Sequence, residues 1–274
     1  MIKSLLVAYD GSHGARVALQ HAVDVARRCE GRVMLLTASR GLHSEAAALD
    51  DGSVDLVDLA SRELSAEETA TPPDGDDLLA EAQDVCRELT VRCLARPAYG
   101  ELSFALVRAS RLADLLFVGR DVTTEPGRFA VARTARRAAA GATCPVVVAP
   151  REYEPVRSAL VVCPMTDGGA RALRTAAEFA ALLQVRLDAL IVSENVNVVG
   201  QWTHEVKRYL VDHGHTPQVL VRKAPARLHL DGLLAGRQSP LVVVPQGSPL
   251  AALLCRDLLS DALRTLGATV VVQP

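Results

Sequence analysis

Short apolar runs alternate along the chain with longer segments in which apolar residues recur at helical spacing. The run Leu5–Tyr9 ends at the turn residue Asp10, and its length predicts a buried strand. Apolar residues then recur every three or four positions from Ala15 to Cys29, which predicts a helix, and Gly31 is expected to end it. Further strands are predicted at Val33–Leu36, Leu115–Val118 and Val146–Val148. Continuous apolar strands separated by amphipathic helices are typical of a parallel sheet covered on both faces.

The second half of the sequence repeats the first. When residues 1–39 are shifted by 154 positions, eleven residues coincide without a gap, from Ser4 on Ser158 to Ser39 on Ser193. Towards the end of each repeat the shift falls to 126 and then to 124, so the first repeat carries about 28 extra residues. We therefore predict two tandem α/β domains, one over residues 1–150 and a shorter one over 157–274.

The extra residues are assigned to an insertion over 41–77, which is acidic, polar and rich in turn residues. We expect a short helix within it. A solvated surface loop and a functional lid both remain open as interpretations of this segment. Between the repeats, Pro150–Pro155 contains two prolines and three charged residues, which is typical of a semi-stiff linker.

Composition excludes several classes of protein. Apolar residues make up 49% of the chain and charged residues 23%, which is typical of a globular protein. The net charge of −2 and the aromatic content of 3% argue against a nucleic-acid partner. No apolar run approaches the roughly 20 residues of a membrane span, so no membrane partner is predicted. Six scattered cysteines without a CxxC pair indicate reduced thiols in a cytoplasmic protein.

Candidate binding residues stand where the predicted strands of the first repeat end. Open α/β sheets bind ligands beyond the carboxyl ends of their strands. Asp10, Gly11 and Ser12 follow the first strand, Ala38 lies at the end of the second, and Gly119 follows the strand that ends at residue 118. The Asp10 carboxylate is suited to accept hydrogen bonds from a ribose or an adenine edge. The alternative is that Asp10 caps the following helix.

Sequence motifs of common enzymes are missing. The chain has no GxxxxGK[ST] or GxGxxG nucleotide loop, no HExxH and no GxSxG. No cluster of histidine, cysteine and carboxylate falls at the predicted strand ends, so we assign no catalytic and no metal-binding residue. The sequence therefore favours a binding or regulatory protein over an enzyme.

Taken together, these features resemble the universal stress protein family. The resemblance rests on the first strand with its Asp10-Gly11-Ser12 turn, the Ala-rich helix, the strand that ends at Val118-Gly119-Arg120, and the final Cys144-Pro145-Val146-Val147-Val148. It covers both halves and implies two Rossmann-like, open parallel-sheet repeats that face each other as a pseudo-two-fold dimer. It also implies a role in stress response or regulation, and ATP or another adenine nucleotide, with magnesium, as ligand.

Members of this family that bind ATP carry the pattern G-x2-G-x9-G-(S/T), whose backbone amides hold the phosphates. Gly119 matches its first glycine, but Val122 stands at the second, and Ala132 and Arg133 stand at the last two positions. Thr134 would supply the hydroxyl if the register slipped by one residue. The phosphate half of the implied site is therefore degraded.

The adenosine half of the implied site is better preserved. Its residues are Asp10, Ala38 and Val118. Gly127 is a further glycine within the phosphate loop. Arg120, Arg128 and Arg133 either hold phosphates by charge or are ordinary exposed arginines. The resemblance thus implies a partial nucleotide site in the first repeat.

The second repeat matches the implied site poorly. Pro164 stands in place of Asp10, and Pro245 stands in place of Gly119. Proline has no backbone N–H to donate to a phosphate. Asp257, at the phosphate position, would repel one. We therefore expect no ordinary ATP site in this repeat.

Each repeat ends in an apolar strand that would expose unpaired backbone at a sheet edge. Family members dimerise through such strands, so we expect the two repeats to pair within one chain, and a homodimer between chains remains open. Three functions follow from these observations. The first is regulation gated by a nucleotide in the first repeat; the alternatives are a weak ATP hydrolase and a scaffold that binds protein partners without nucleotide.

Overall fold

Ten strands form one sheet that runs through both halves of the chain. The computed structural model describes residues 2–38, 73–98, 102–119, 137–193, 196–223, 234, 236–246 and 268–274. The strands are β1 (Ser4–Ala8), β2 (Arg32–Ala38), β3 (Arg92–Ala98), β4 (Leu115–Val118), β5 (Val146–Val148), β6 (Ser158–Pro164), β7 (Arg186–Ser193), β8 (Val219–Lys223), β9 (Pro240–Pro245) and β10 (Thr269–Gln273). The predicted mixed α/β fold with a large parallel sheet is confirmed.

The strand order is symmetric about its middle. It runs β3-β2-β1-β4-β5-β10-β9-β6-β7-β8, so each half lists its third, second, first, fourth and fifth strand from the rim inward. β5 and β10 pair antiparallel, with Val147 opposite Val271, whereas the other described pairs are parallel. The last strands of the two repeats thus cover each other's edge, as the apolar sequences of both strands predict.

Five α-helices have both ends within the described residues. They are α1 (His13–Cys29), α2 (Pro73–Glu88), α3 (Leu102–Ala109), which a 3₁₀ turn at Ser110–Leu112 extends, α4 (Asp167–Leu183) and α5 (Val196–Asp212). α1 packs on β1 and β4, α4 packs on β6 and β9, and the two helices contact each other. Arg28 donates from Nη1 to the Leu183 carbonyl at 3.3 Å across this contact. The repeats are therefore joined both through the sheet and through one helix pair.

β3 is a strand that the hydrophobic pattern did not predict. Its sequence contains Arg92, Arg96 and Pro97, and its residues are largely exposed or half-buried. It lies at the end of the strand order, where one side of the backbone needs no partner. Proline and charged side chains are tolerated at such an edge.

The end of α1 differs from the prediction. Glu30, rather than Gly31, adopts the left-handed conformation, with φ 52°. Gln184 ends α4 in the same way, with φ 57°. Gly31 instead lies in a tightly packed place, where a Cβ would be 3.0 Å from the Lys3 carbonyl oxygen and 2.9 Å from a methyl group of Leu5.

The predicted insertion over 41–77 ends in regular structure. α2 begins at Pro73, so residues 73–77 form its first turn rather than a loop. Proline is well suited to the first turn of a helix, where its missing N–H has no intrahelical partner. The loop and lid interpretations fall on residues 41–72, which lie outside the described residues.

The segment between the repeats is held against α1. The Arg151 carbonyl lies 2.9 Å from Nε2 of His13, and the Tyr153 ring packs edge-on against His21 with 4.9 Å between ring centres. Ser239 donates a hydrogen bond to Glu154. A short linker with these contacts favours one continuous body over two loosely tethered units.

Candidate functional site

The turn after β1 is fixed by two hydrogen bonds and by one glycine in the left-handed conformation. The Ser12 N–H donates to Oδ1 of Asp10 at 3.0 Å, which closes a short turn around Gly11. Gly11 has φ 75°, a conformation that glycine adopts at little cost. Oγ of Ser12 then accepts from the Ala15 N–H at 3.2 Å and caps α1. The helix cap is thus Ser12, and the alternative interpretation of Asp10 as the cap is wrong.

Gly119 lies in direct backbone contact with the first turn of α1. A Cβ at this position would be 2.4 Å from the Gly14 carbonyl oxygen and 2.7 Å from the Ala15 nitrogen. β4 pairs with β1 in parallel, with Phe117 opposite Val7, so both strands deliver their carboxyl ends to the same edge. The absence of a side chain at Gly119 lets the end of β4 approach the Asp10 turn.

β2 completes the described part of this edge. Ala8 pairs with Leu36, and the Tyr9 N–H donates to the Leu36 carbonyl at 2.9 Å. The backbone of Ala38 therefore ends β2 beside the Asp10 turn. Val118 is fully buried in β4 and contributes to the floor under this edge. Six predicted residues thus come together: Asp10, Gly11, Ser12, Ala38, Val118 and Gly119. Arg120, Gly127, Arg133 and Thr134 lie outside the described residues.

A polar cluster beside this edge was missed in the sequence. Arg16 in α1 donates from Nε and Nη2 to the two carboxylate oxygens of Glu81 in α2, at 2.8 and 3.2 Å. This pairing lowers the pKa of Glu81 and raises that of Arg16. Burial and the nearby Glu81 charge raise the pKa of Tyr9, which follows β1 directly. Because 65 residues separate Arg16 from Glu81, the spacing of residues along the sequence does not indicate this contact.

At the corresponding edge of the second repeat, the Pro164 backbone packs against the first turn of α4. The Thr166 N–H donates to the Pro164 carbonyl at 2.8 Å. A Cβ added at Gly169, in the first turn of α4, would lie 2.0 Å from that carbonyl oxygen. The equivalent residue of the first repeat is Ala15, whose Cβ is buried. This Cβ occupies the position over α1 that corresponds to the one the Pro164 carbonyl takes over α4. The backbone at the end of β6 therefore lies directly against the first turn of α4.

Within the described ranges, no group of three or more histidine, cysteine or acidic residues is arranged to hold a metal ion. In the same ranges, no helix is both long enough and apolar enough to cross a membrane.

The fold and the edge around Asp10 define a Rossmann-like α/β protein in which two related halves share a sheet. The model of the universal stress protein family matches residues 1–150. Since this match covers more than half of the 274 residues, the chain belongs to the universal stress protein family. A search of curated proteins gave no match.

Solved structures share the fold over nearly the whole chain. A universal stress protein from Archaeoglobus fulgidus DSM 4304 superposes with a TM-score of 0.67 at 13% identity, covering 98% of this chain and 95% of its own. A candidate universal stress protein from Pseudomonas aeruginosa UCBPP-PA14 gives 0.60 at 16% identity, covering 99% and 93%. A functionally unknown protein from Pseudomonas aeruginosa PAO1 gives 0.58 at 16% identity, covering 99% and 92%. The likeness therefore extends through both repeats.

Proposed function

We propose that this chain is a stress-response regulator that binds one adenine nucleotide, at the carboxyl edge of β1, β2 and β4 in the domain over residues 1–150. The observation that carries the proposal is the contrast between the repeats at this edge. In the first repeat the Asp10 side chain is fixed by the Ser12 N–H, and Gly119 brings β4 against α1. In the second repeat, over residues 157–274, Pro164 stands in place of Asp10 and offers no side-chain carboxylate.

The chemistry of the first edge suits a nucleoside. A carboxylate accepts hydrogen bonds from a ribose hydroxyl or an exocyclic amine, and its position next to a fixed turn lowers the entropy lost on binding. Asp10 has Oδ1 engaged by Ser12, which orients the whole carboxyl group. Phosphate binding is proposed for the segment of sequence after Gly119, with Arg120, Gly127, Arg133 and Thr134 as its candidate residues. Magnesium would accompany ATP by binding its phosphates.

In this proposal, nucleotide occupancy regulates unknown protein partners, and the chain is not an enzyme. The proposed setting is the cytoplasm, because the five cysteines that the structure describes are free thiols. A homodimer, formed when the sheets of two chains pair, is the proposed higher assembly. Neither nucleic acid nor membrane is a proposed partner.

The experiment measures the nucleotide that the purified full chain carries. The protein is denatured, and the supernatant is separated by chromatography. We expect about one adenine nucleotide per chain. Asp10→Asn keeps an oxygen for the Ser12 N–H but removes the charge, and we expect about 10- to 100-fold weaker binding, the equivalent of one charge-assisted hydrogen bond.

The matched control is Asp167→Asn, which removes an exposed carboxylate from the first turn of α4 in the second repeat. We expect this variant to carry as much nucleotide as the wild type. An empty supernatant, with no binding on addition of ATP and magnesium, would overturn the proposal and favour a scaffold that acts without nucleotide. Turnover of ATP that Asp10→Asn abolishes would instead favour the hydrolase.

A further inference from the structure

Two cysteines meet where α2 leads into β3. Leu79, Ala82 and Cys86 form the buried stripe of α2, and Cys86 is fully buried in its last turn. Cys93 is the second residue of β3. Its neighbours Arg92 and Leu94 are exposed while Cys93 itself is half-buried, so its side chain is on the face that α2 covers. Both thiols therefore belong to the contact between α2 and β3.

The backbone between these cysteines is held in a tight turn. Thr90 adopts the left-handed conformation with φ 58°, and its N–H donates to the Arg87 carbonyl at 3.0 Å. The Val91 N–H donates to the Cys86 carbonyl at 2.8 Å. The side chains of Cys86 and Cys93 lie close enough to shift the pKa of each other. The two cysteines thus belong to one packed helix–strand contact and are joined by a short, fixed turn, an arrangement suited to forming a disulfide.

We propose that Cys86 and Cys93 are an oxidisable pair, which hydrogen peroxide converts to an intramolecular disulfide. This modification site is separate from the nucleotide edge and does not depend on the function proposed there. The disulfide joins α2 to the edge strand β3, so the modification fixes the end of α2 against the sheet.

The surroundings of the two cysteines indicate which thiol reacts with peroxide first and which one then forms the disulfide. The nearby Cys86 side chain lowers the pKa of Cys93, while the Cys93 side chain and burial raise the pKa of Cys86. The half-buried Cys93 is therefore the thiolate that meets the oxidant. In contrast, burial raises the pKa of Cys144 and of Cys163 to about 12, which keeps these two thiols protonated at neutral pH.

The reaction consumes one peroxide and two thiols. The Cys93 thiolate attacks one peroxide oxygen, the O–O bond breaks, and hydroxide leaves and takes up a proton to become water. The Cys86 thiol then loses its proton and attacks the Cys93 sulfenic acid sulfur, which releases a second water. Both sulfur atoms are oxidised by one electron each and the peroxide is reduced by two. A dithiol such as dithiothreitol reverses the step.

The wild-type full chain provides the first test. Protein treated with equimolar hydrogen peroxide is alkylated under denaturing conditions and digested with trypsin without reduction. Trypsin cleaves after Arg87 and Arg92, so the two cysteines fall on separate peptides, residues 63–87 and 93–108. We expect these peptides as a disulfide-linked pair that dithiothreitol separates. Both peptides alkylated, or Cys93 linked to a different cysteine, would overturn the proposal.

Three variants test the assigned roles. Cys93→Ser is expected to leave Cys86 reduced and alkylated after peroxide. Cys86→Ser is expected to leave a Cys93 sulfenic acid that dimedone traps. Cys29→Ser is the matched control, since it removes a half-buried thiol elsewhere, and we expect the linked pair to persist. Trapping of dimedone on Cys86 in the Cys93→Ser variant would contradict the assigned order of attack.

Discussion

Gly119 shows how one residue without a side chain sets the geometry of the proposed nucleotide edge. The residue follows β4 and is buried against the backbone of Gly14 and Ala15. The contact is backbone to backbone, so no side-chain rotation can make room for a larger residue. The approach of β4 to the Asp10 turn therefore depends on glycine at this position.

Gly119→Ala is expected to destabilise the protein by about 2–4 kcal/mol, because the new Cβ would sit 2.3 Å from the Gly14 carbonyl carbon. The free energy of unfolding in urea measures the change. Gly200→Ala is the control, since a Cβ there meets nothing within 4 Å and Gly200 lies in α5. That variant should gain up to about 1 kcal/mol from helix propensity. Equal stability of both variants would refute the close contact.

Several residues at the described part of this edge could be predicted from the sequence. Asp10, Gly11, Ser12 and Gly119 follow apolar strands, and parallel strands bring such positions to one edge. The cap could not be assigned, because Asp10 and Ser12 are both good capping residues and the hydrogen bond decides between them. The Arg16–Glu81 pair could not be predicted either, since it depends on how α2 packs against α1.

At the scale of elements, α1 connects the sheet, the linker and the second repeat. It covers β1 and β4, contacts α4, and holds Tyr153 against His21. His21 is 5% exposed, and its Nε2 has no hydrogen-bond partner among the described residues. Burial lowers the pKa of His21 to about 4, although the nearby Asp24 charge acts in the opposite direction. The imidazole is therefore packed in its neutral form.

The His21 environment predicts a loss of stability in acid. Between pH 6.5 and about 4 the unfolded chain binds a proton at His21 that the folded chain does not bind. The free energy of unfolding should therefore fall as the pH drops through this window, by about 3 kcal/mol from this residue. Above pH 6.5 the contribution of His21 is constant. Urea denaturation at a series of pH values measures it.

His21→Gln cannot titrate, so its stability should depend less steeply on pH between 6.5 and 4 than that of the wild type. His204→Gln removes an exposed histidine from α5 and should keep the wild-type dependence. A His21→Gln variant with the unchanged wild-type slope would contradict the neutral, buried state of His21.

The elements themselves were predictable to different degrees. β4 and β5 are short, wholly apolar runs and β10 has three valines between Thr269 and Gln273, so the pattern gives their location directly. β3 was missed because an edge strand needs no continuous apolar run and tolerates Arg92, Arg96 and Pro97. The end of α1 was misplaced by one residue. The prediction placed the left-handed residue at Gly31, whereas Gly31 is the residue that packs closely against Lys3 and Leu5.

At the scale of the whole molecule, the sheet is symmetric in its strand order, but the carboxyl ends of the strands carry different residues in its two halves. The internal repeat predicted two related halves, and the apolar last strands predicted that the halves pair through them; the mirrored strand order and the antiparallel direction of the β5–β10 pair come from the structure. The inequality lies in Asp10 against Pro164 and Gly119 against Pro245. Asp10 and Gly119 of the first repeat thus correspond to prolines in the second, while the two halves keep the same strand order.

Titration calorimetry of the nucleotide-free full chain tests this asymmetry most directly. ATP with magnesium is titrated into the wild type and into Asp10→Asn. We predict a single binding site per chain in the wild type, and binding weakened by about 10- to 100-fold in the variant. Two sites per chain, or wild-type affinity in Asp10→Asn, would contradict a nucleotide site built on the first repeat alone.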